Sequence, residues 1–269
     1  MNLPHPHPRT KIYRRSPQNW NIADKNSEAI FELILKNNNK SLNKNVCIFD
    51  LDGTVFDVSY RTLGIIREWS QSEETKKIST EILEKVNTLE FNHVGYSLKQ
   101  SLENAGFVFQ NLEVQKMFLS MEKFWQKRFF DGKSLLKYDL PFSGVVKFIQ
   151  KLHEKNISII YLSGRYQDKM QQGTIQQFEK FMLPYEENSL FLKNNILLED
   201  YKFKSEMMYQ LSQKYNVISN FENEYINIYY MCMKVPDCIH VVMDSHHSGK
   251  ETQMLEPLIY RIQSFNNLL

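Results

Sequence analysis

Long apolar runs, a cysteine framework and an excess of either charge are all missing from this 269-residue chain. No stretch approaches the length of a membrane-spanning helix, so a membrane-embedded protein is not expected. The three cysteines, Cys47, Cys232 and Cys238, are an odd number. They read as buried, reduced thiols of a cytoplasmic protein, not as a disulfide scaffold. A formal net charge of +2 gives no reason to expect nucleic acid as the main partner. The N-terminus, MNLPHPHPRTKIYRR, is basic but has no apolar run behind it, so it is not read as a secretory signal. His246 and His247 have no Cys or acid at ligand spacing, which makes a poor zinc signature, and they are assigned a structural role. No internal repeat is evident. What remains, 42% hydrophobic and 24% charged, is an ordinary globular composition with length for one to two domains.

The informative segment is VCIFDLDGT at 46–54. Val46 to Phe49 have the make-up of a buried parallel strand. The run ends in two carboxylates, Asp50 and Asp52, followed by Gly53 and the hydroxyl of Thr54. Acids at the carboxyl end of a buried strand sit where open α/β sheets bind ligands. Their like charges raise each other's pKa unless a cation intervenes, and Mg²⁺, a hard ion that takes oxygen ligands, suits the position. A carboxylate beside Mg²⁺ is a competent nucleophile toward phosphorus.

This segment resembles the hhhhDxDGT motif of the haloacid dehalogenase (HAD) superfamily, where h is apolar. Most members are Mg²⁺-dependent phosphohydrolases. The resemblance implies that Asp50 attacks to form an aspartyl-phosphate. Asp52 would then serve as general acid and base and lend its main-chain carbonyl to the metal.

Organisation along the chain fits that frame. Residues 1–25 read as an extended arm, with a short amphipathic helix at about 26–36 and a polar linker at 36–45. Together 1–43 form an N-terminal segment. Residues 56–138 read as helices at about 57–71, 76–89, 95–105 and 111–130, an all-helical cap inserted after the first core strand. Within it, His93 and the aromatics Phe124, Trp125, Phe129 and Phe130 are assigned to packing. Residues 44–55 and 139–269 form the core, with a helix from near Ser143 and strands at 157–162, 216–221 and 239–244. The expected fold is α/β: a three-layer Rossmann-like core with a mostly parallel sheet plus the helical cap.

The remaining site residues follow from the resemblance. ISIIYLSGR ends a strand in Ser163 and Gly164, which with Thr54 would cradle phosphoryl oxygens. Arg165 is open between a structural salt bridge and a substrate contact. Lys204, at the start of a helix, is the expected cation, with Lys193 and Lys202 as competitors. The last acidic motif departs from the family by using Glu for Asp in NFENE. Glu222 is the preferred metal ligand, and Glu224 is the alternative or the partner of Lys204. Asp244 is read as orienting its loop. The implied activity is Mg²⁺-dependent hydrolysis of a small phosphorylated metabolite; a phosphomutase or a catalytically weak binding protein is the alternative. Asp52 argues against a true dehalogenase, which has no need of that acid. Oligomeric state is not legible.

Overall fold

The structure is a computed structural model that describes residues 17, 20–38, 43–250, 252–253 and 255–266. The arm expected at 1–25 lies outside the described residues except for Pro17 and 20–25, and part of the expected linker (39–42) does too.

In chain order the elements are β1 (Trp20–Asp24), α1 (Ser27–Asn37), β2 (Asn45–Phe49), β3 (Phe56–Asp57) and α2 (Ser59–Ser70). They continue through α3 (Thr80–Asn87), α4 (Leu98–Asn104), α5 (Leu112–Phe129), α6 (Gly132–Tyr138) and β4 (Leu140–Pro141). Next come α7 (Val145–Glu154), β5 (Ser158–Tyr166), α8 (Gln167–Phe181), β6 (Leu190–Lys193) and α9 (Asp200–Ser212). The last are β7 (Asn216–Glu222), α10 (Tyr225–Lys234), β8 (Ile239–Met243) and β9 (Leu255–Ile262).

Seven strands form one sheet in the order β1-β9-β8-β7-β2-β5-β6, and every described pairing in it is parallel. The three-layer α/β expectation holds. Strand β2 is apolar throughout Val46–Phe49 because both its faces are covered. Cys47 and Phe49 join the core under α1, α7 and α8, whereas Val46 and Ile48 join the core under α9 and α10. After β2 the chain builds β5 and β6 on one side, then returns to lay β7, β8 and β9 on the other. The carboxyl end of β2 is therefore the point where strand order reverses, the usual crevice for a ligand.

The helices α2–α6 fill the stretch between β3 and β4, which pair antiparallel (Phe56 with Pro141, Asp57 with Leu140). They carry their own core of Leu63, Trp69, Leu102, Met117, Met121 and neighbours. Phe124 and Trp125 pack against it, and His93 Nδ1 accepts from the Glu90 N–H at 3.1 Å, so these residues pack as expected.

One expectation is corrected. Residues 20–24 are not part of an extended arm; they form the edge strand β1, pinned by Trp20 against Tyr225 (ring centroids 5.4 Å apart) and by the Asp24–Arg261 ion pair. Its partner β9 was also missed. Pro257 lies within it, and the β1–β9 register shifts between the Trp20↔Leu255 and Ile22↔Ile259 pairs on either side of that proline.

Candidate active site

Register brings the acids together. Phe49 pairs with Tyr161 of β5 on one side and Phe221 of β7 on the other, and the Asp50 N–H donates to Phe221 O at 2.9 Å. The rings of Phe49 and Phe221 stack with centroids 4.4 Å apart and planes 3° from parallel. Each stacked ring immediately precedes an acid, so this packing fixes Asp50 beside Glu222. Glu222 is the last residue of β7, not the first after it.

Lys204, from the first turns of α9, lies between the two acids with Nζ 2.6 Å from Asp50 Oδ1 and 2.6 Å from Glu222 Oε2. All three side chains are buried. Burial and the Glu222 charge push the Asp50 carboxyl up to about 7, against the pull of Lys204. Burial alone would discharge Lys204, but Asp50 and Glu222 outweigh it and hold the ammonium charged. The competing lysines are engaged elsewhere: Lys193 with Asp200 at 2.6 Å, and exposed Lys202 with Glu199 at 3.4 Å. Glu224 is not the partner of Lys204. Ser248 takes both its oxygens, through N–H at 2.8 Å and Oγ at 2.6 Å.

The turn after Asp50 is built for close approach. Gly53 has φ +86°, and a Cβ there would lie 2.4 Å from Asn223 Nδ2. The Thr54 hydroxyl lies 3.2 Å from Asp50 Oδ2 and 3.4 Å from Asn223 Oδ1. The loop after β8 closes the far side: Ser245 Oγ donates to Gly53 O at 2.6 Å, and His246 O accepts from Asn223 Nδ2 at 2.7 Å. His247 packs edge-on to Tyr225. Both histidines thus serve the loop.

On the other flank, Ser163 is buried and the β5–β6 register slips between Ser163 and Tyr166, a bulge at Gly164–Arg165 of the kind found beside active sites. The strand therefore runs past the expected end at Leu162. The space a Cβ would need at Gly164 is taken by the Asp200 carboxylate (2.4 Å to Oδ2). Arg165 makes salt bridges: Nη2 lies 2.7 Å from Asp52 Oδ1 and 3.2 Å from Asp139 Oδ2. Arg61 of α2 joins it, 2.6 Å from Asp52 Oδ1 and 2.7 Å from Asp139 Oδ1. Burial would raise the Asp52 carboxyl, but Arg165 and Arg61 outweigh it and hold it well below the usual carboxylate range.

Sequence reasoning missed Arg61, Asp139, Asp200 and Asn223. The faint signal for Arg61 is its place in the apolar stretch YRTLGII, where an arginine of a surface helix would face solvent.

Mg²⁺ demands oxygen donors and keeps several waters, commonly with one or two carboxylates. Among the described residues no cluster of three or more His, Cys, Asp or Glu is arranged to hold a metal. The donor set nevertheless fits a largely hydrated ion. Asp50 Oδ2 has only the Thr54 hydroxyl as a hydrogen-bond partner among the described residues. Both Glu222 oxygens are occupied, Oε2 by Lys204 and Oε1 by the N–H groups of Asn223 and Glu224.

Residues 102–227 match the family described as HAD superfamily, subfamily IIIB (Acid phosphatase). That match begins in α4 and leaves β2 and its acids outside. Among solved structures, a putative phosphatase from Clostridium difficile has a similar fold, with TM-score 0.51 and 14% identity over 83% of this chain and 96% of that one. Looser matches are a predicted phosphoglycolate phosphatase from Haemophilus somnus 129pt (TM-score 0.49, 12% identity, 84% of this chain and 97% of that one) and a predicted phosphatase from Clostridium acetobutylicum (0.48, 16%, 82% and 94%). No curated protein matches. The parallel sheet and the acids at its switch point define an α/β protein of the Rossmann-like class. Over residues 102–227 the chain is similar to that HAD family, and its fold is shared with the Clostridium difficile structure.

Proposed function

We propose that this chain is a Mg²⁺-dependent phosphomonoesterase that acts on a small phosphate ester through an aspartyl-phosphate on Asp50. The observation that carries the reading is Lys204 bridging two buried acids at 2.6 Å each, at the switch point of the sheet. Lys204 leaves Asp50 Oδ2 as the attacking oxygen. Attack forms the Oδ2–P bond and breaks the ester P–O bond, and water then cleaves the acyl-phosphate to return the Asp50 carboxylate. Ser163, Gly164 and Thr54 would hold the phosphoryl oxygens, and Lys204 would offset their charge. In the resting site Asp52 is a carboxylate held by Arg61 and Arg165, ready to take a proton from the hydrolytic water. For the acid step it draws on the proton of a monoanionic ester, whose last pKa is about 6.

Charge supports the need for a cation. Asp50 and Glu222 outnumber Lys204, and Asp52 and Asp139 only balance Arg61 and Arg165, so even a phosphate monoanion would enter a site with no positive surplus. Asp50 and the Asp52 main-chain carbonyl would hold the metal, with Glu222 reaching it through water. Bound Mg²⁺ would supply charge neutralisation at the phosphoryl oxygens. The α2–α6 block (56–138) would act as a cap that excludes bulk water during transfer, over a core of 44–55 and 139–269. Three buried free thiols suit a cytoplasmic setting. Phosphate release from p-nitrophenyl phosphate, dependent on Mg²⁺ and abolished in Asp50→Asn, tests the reading. An undiminished rate in that variant would refute the nucleophile.

A further inference from the structure

A cavity of about 260 Å³ lies between the helical block and the sheet rim, walled by Tyr96, Lys193, Asp200, Glu224, Asn227 and Ser248 among others. We propose that this cavity receives the alcohol released from the phosphate ester and selects a small, uncharged, hydroxyl-bearing one. This inference rests on the phosphomonoesterase reading.

The cavity adjoins the reacting groups. The Glu224 N–H donates to Glu222 Oε1 at 3.0 Å, and Asp200 abuts Gly164, next to Ser163. Tyr96 enters from the helical block on a braced turn. Its own N–H donates to Gln100 Oε1 at 2.7 Å, and the Gly95 N–H donates to Ser101 Oγ at 3.0 Å. The wall thus joins both halves of the site.

Asn227 points to a ligand. It is 3% exposed, and its side-chain amide has no hydrogen-bond partner among the described residues. Unpaired buried amides are costly and rare. An amide offers both donors and an acceptor, which complements a hydroxyl that can do both. Charge then excludes a second anion. The cavity's cations are Lys193 and Lys250, against Glu199, Asp200 and Glu224, and Lys193 is committed to Asp200 at 2.6 Å. The acids outnumber the cations, so a carboxylate or a second phosphate on the leaving group meets no positive surplus. Size narrows the class further, because the cavity falls below the roughly 300–1,000 Å³ of pockets for drug-sized ligands. A polyol of a few carbons fits.

The test compares glycerol phosphate with phosphoglycolate, a similarly small ester whose leaving group is anionic, and with p-nitrophenyl phosphate, on the full chain with Mg²⁺. Glycerol phosphate should exceed phosphoglycolate in kcat/KM by roughly tenfold or more. Asn227→Leu should lower the glycerol phosphate to p-nitrophenyl phosphate ratio by about tenfold, the loss expected when a built hydrogen bond is removed. Tyr96→Phe, at a half-exposed position with little risk to folding, should lower the same ratio severalfold. Binding of the same two esters to Asp50→Asn, read by calorimetry, separates the two claims. Should p-nitrophenyl phosphate go unhydrolysed while glycerol phosphate still binds better, the catalytic reading falls and the cavity assignment stands. Equal handling of the two esters, or ratios unmoved in both variants, overturns the inference and leaves catalysis intact.

Discussion

Replacing Lys204 with Met tests the centre of the site through stability, independently of any substrate. Nζ lies 2.6 Å from each acid, so Asp50 Oδ1 and Glu222 Oε2 are at most about twice that distance apart. Two unit charges near 5 Å repel by roughly 3 kcal/mol at an effective dielectric of about 20. Removing one partner of a buried ion pair costs about 3–5 kcal/mol. The size of the loss depends on pH in a determined direction. Asp50 has its proton held up to about 7, above its ordinary value of 3.8. A raised carboxyl contributes stability that is full below the unfolded value and is lost as pH rises through the folded one. At pH 5 Asp50 is neutral in both proteins and only Glu222 loses its partner. At pH 8 the wild type has two charged bonds to Lys204, whereas the variant must confront the acids or keep a costly proton. Lys204→Met should therefore lose about 3–5 kcal/mol at pH 8 and roughly 1–2 kcal/mol at pH 5. Urea unfolding at both pH values with a chelator present measures this, and adding Glu222→Gln should recover part of the pH 8 loss. A penalty that is flat across pH, or below about 1 kcal/mol at pH 8, would show that these charges do not form the coupled buried triad described.

Three further outcomes are expected. Asp52→Asn should cost on the order of 2 kcal/mol at neutral pH, since its three charged hydrogen bonds from Arg61 and Arg165 are weakened. Because Asp52 is held below its ordinary value, that cost should fade as pH drops below about 4, and urea midpoints from pH 7 to 3 check the trend. Gly144→Ala should destabilise by about 1–3 kcal/mol, because φ is +81° and a Cβ would lie 2.3 Å from Phe265 O; an unchanged melting temperature would contradict the geometry. Trp20→Ala should cost roughly 3–5 kcal/mol by emptying the contact with Tyr225 and freeing the Nε1 bond to Gln253 O (3.0 Å); a tolerated substitution would mean that β1 is not a structural strand.

The reach of sequence reading follows from where the physics is local. An apolar run that ends in two acids can be read from adjacent residues, so β2 and the position of Asp50 were legible. Choosing Lys204 over Lys193 and Lys202 rested on the resemblance, whose cation stands at the start of a helix ahead of the last acidic motif. Arg61 and Asp139 were not legible, because their partners lie far along the chain and a buried ion pair leaves no periodic mark. The edge strand β1 is short and half polar, and β9 contains a proline, so neither has the pattern of a central strand. The short β6 was missed for the same reason of length. Glu222 and Glu224 are equivalent as letters. Only the register of β7 against β2, which puts Phe221 under Phe49, separates them.

The arginine network also bears on how a cap could move. Arg61 binds Asp52, Asp139 and the Phe129 carbonyl, the last at 3.1 Å. Gln177 of α8 donates to Leu135 O at 2.9 Å and to Asp139 Oδ2 at 3.1 Å. Gly132 and Gly173 let α6 and α8 approach so closely that a Cβ on Gly173 would lie 2.4 Å from Gly132 O. The start of α2, the end of α5 and all of α6 are thus tied to β5 and α8 by buried charges and close backbone contact. Moving them as one lid would strip Arg61 from Asp52 and Asp139, at several kcal/mol for each buried charge exposed. Among the described residues, α3, α4 and the outer part of α5 show no such ties, and Tyr96 lies just ahead of α4. Opening confined to that outer part would widen the cavity at Tyr96 while Asp52 kept both arginines, so, on the proposed function, substrate exchange and the charge state of Asp52 would be independent.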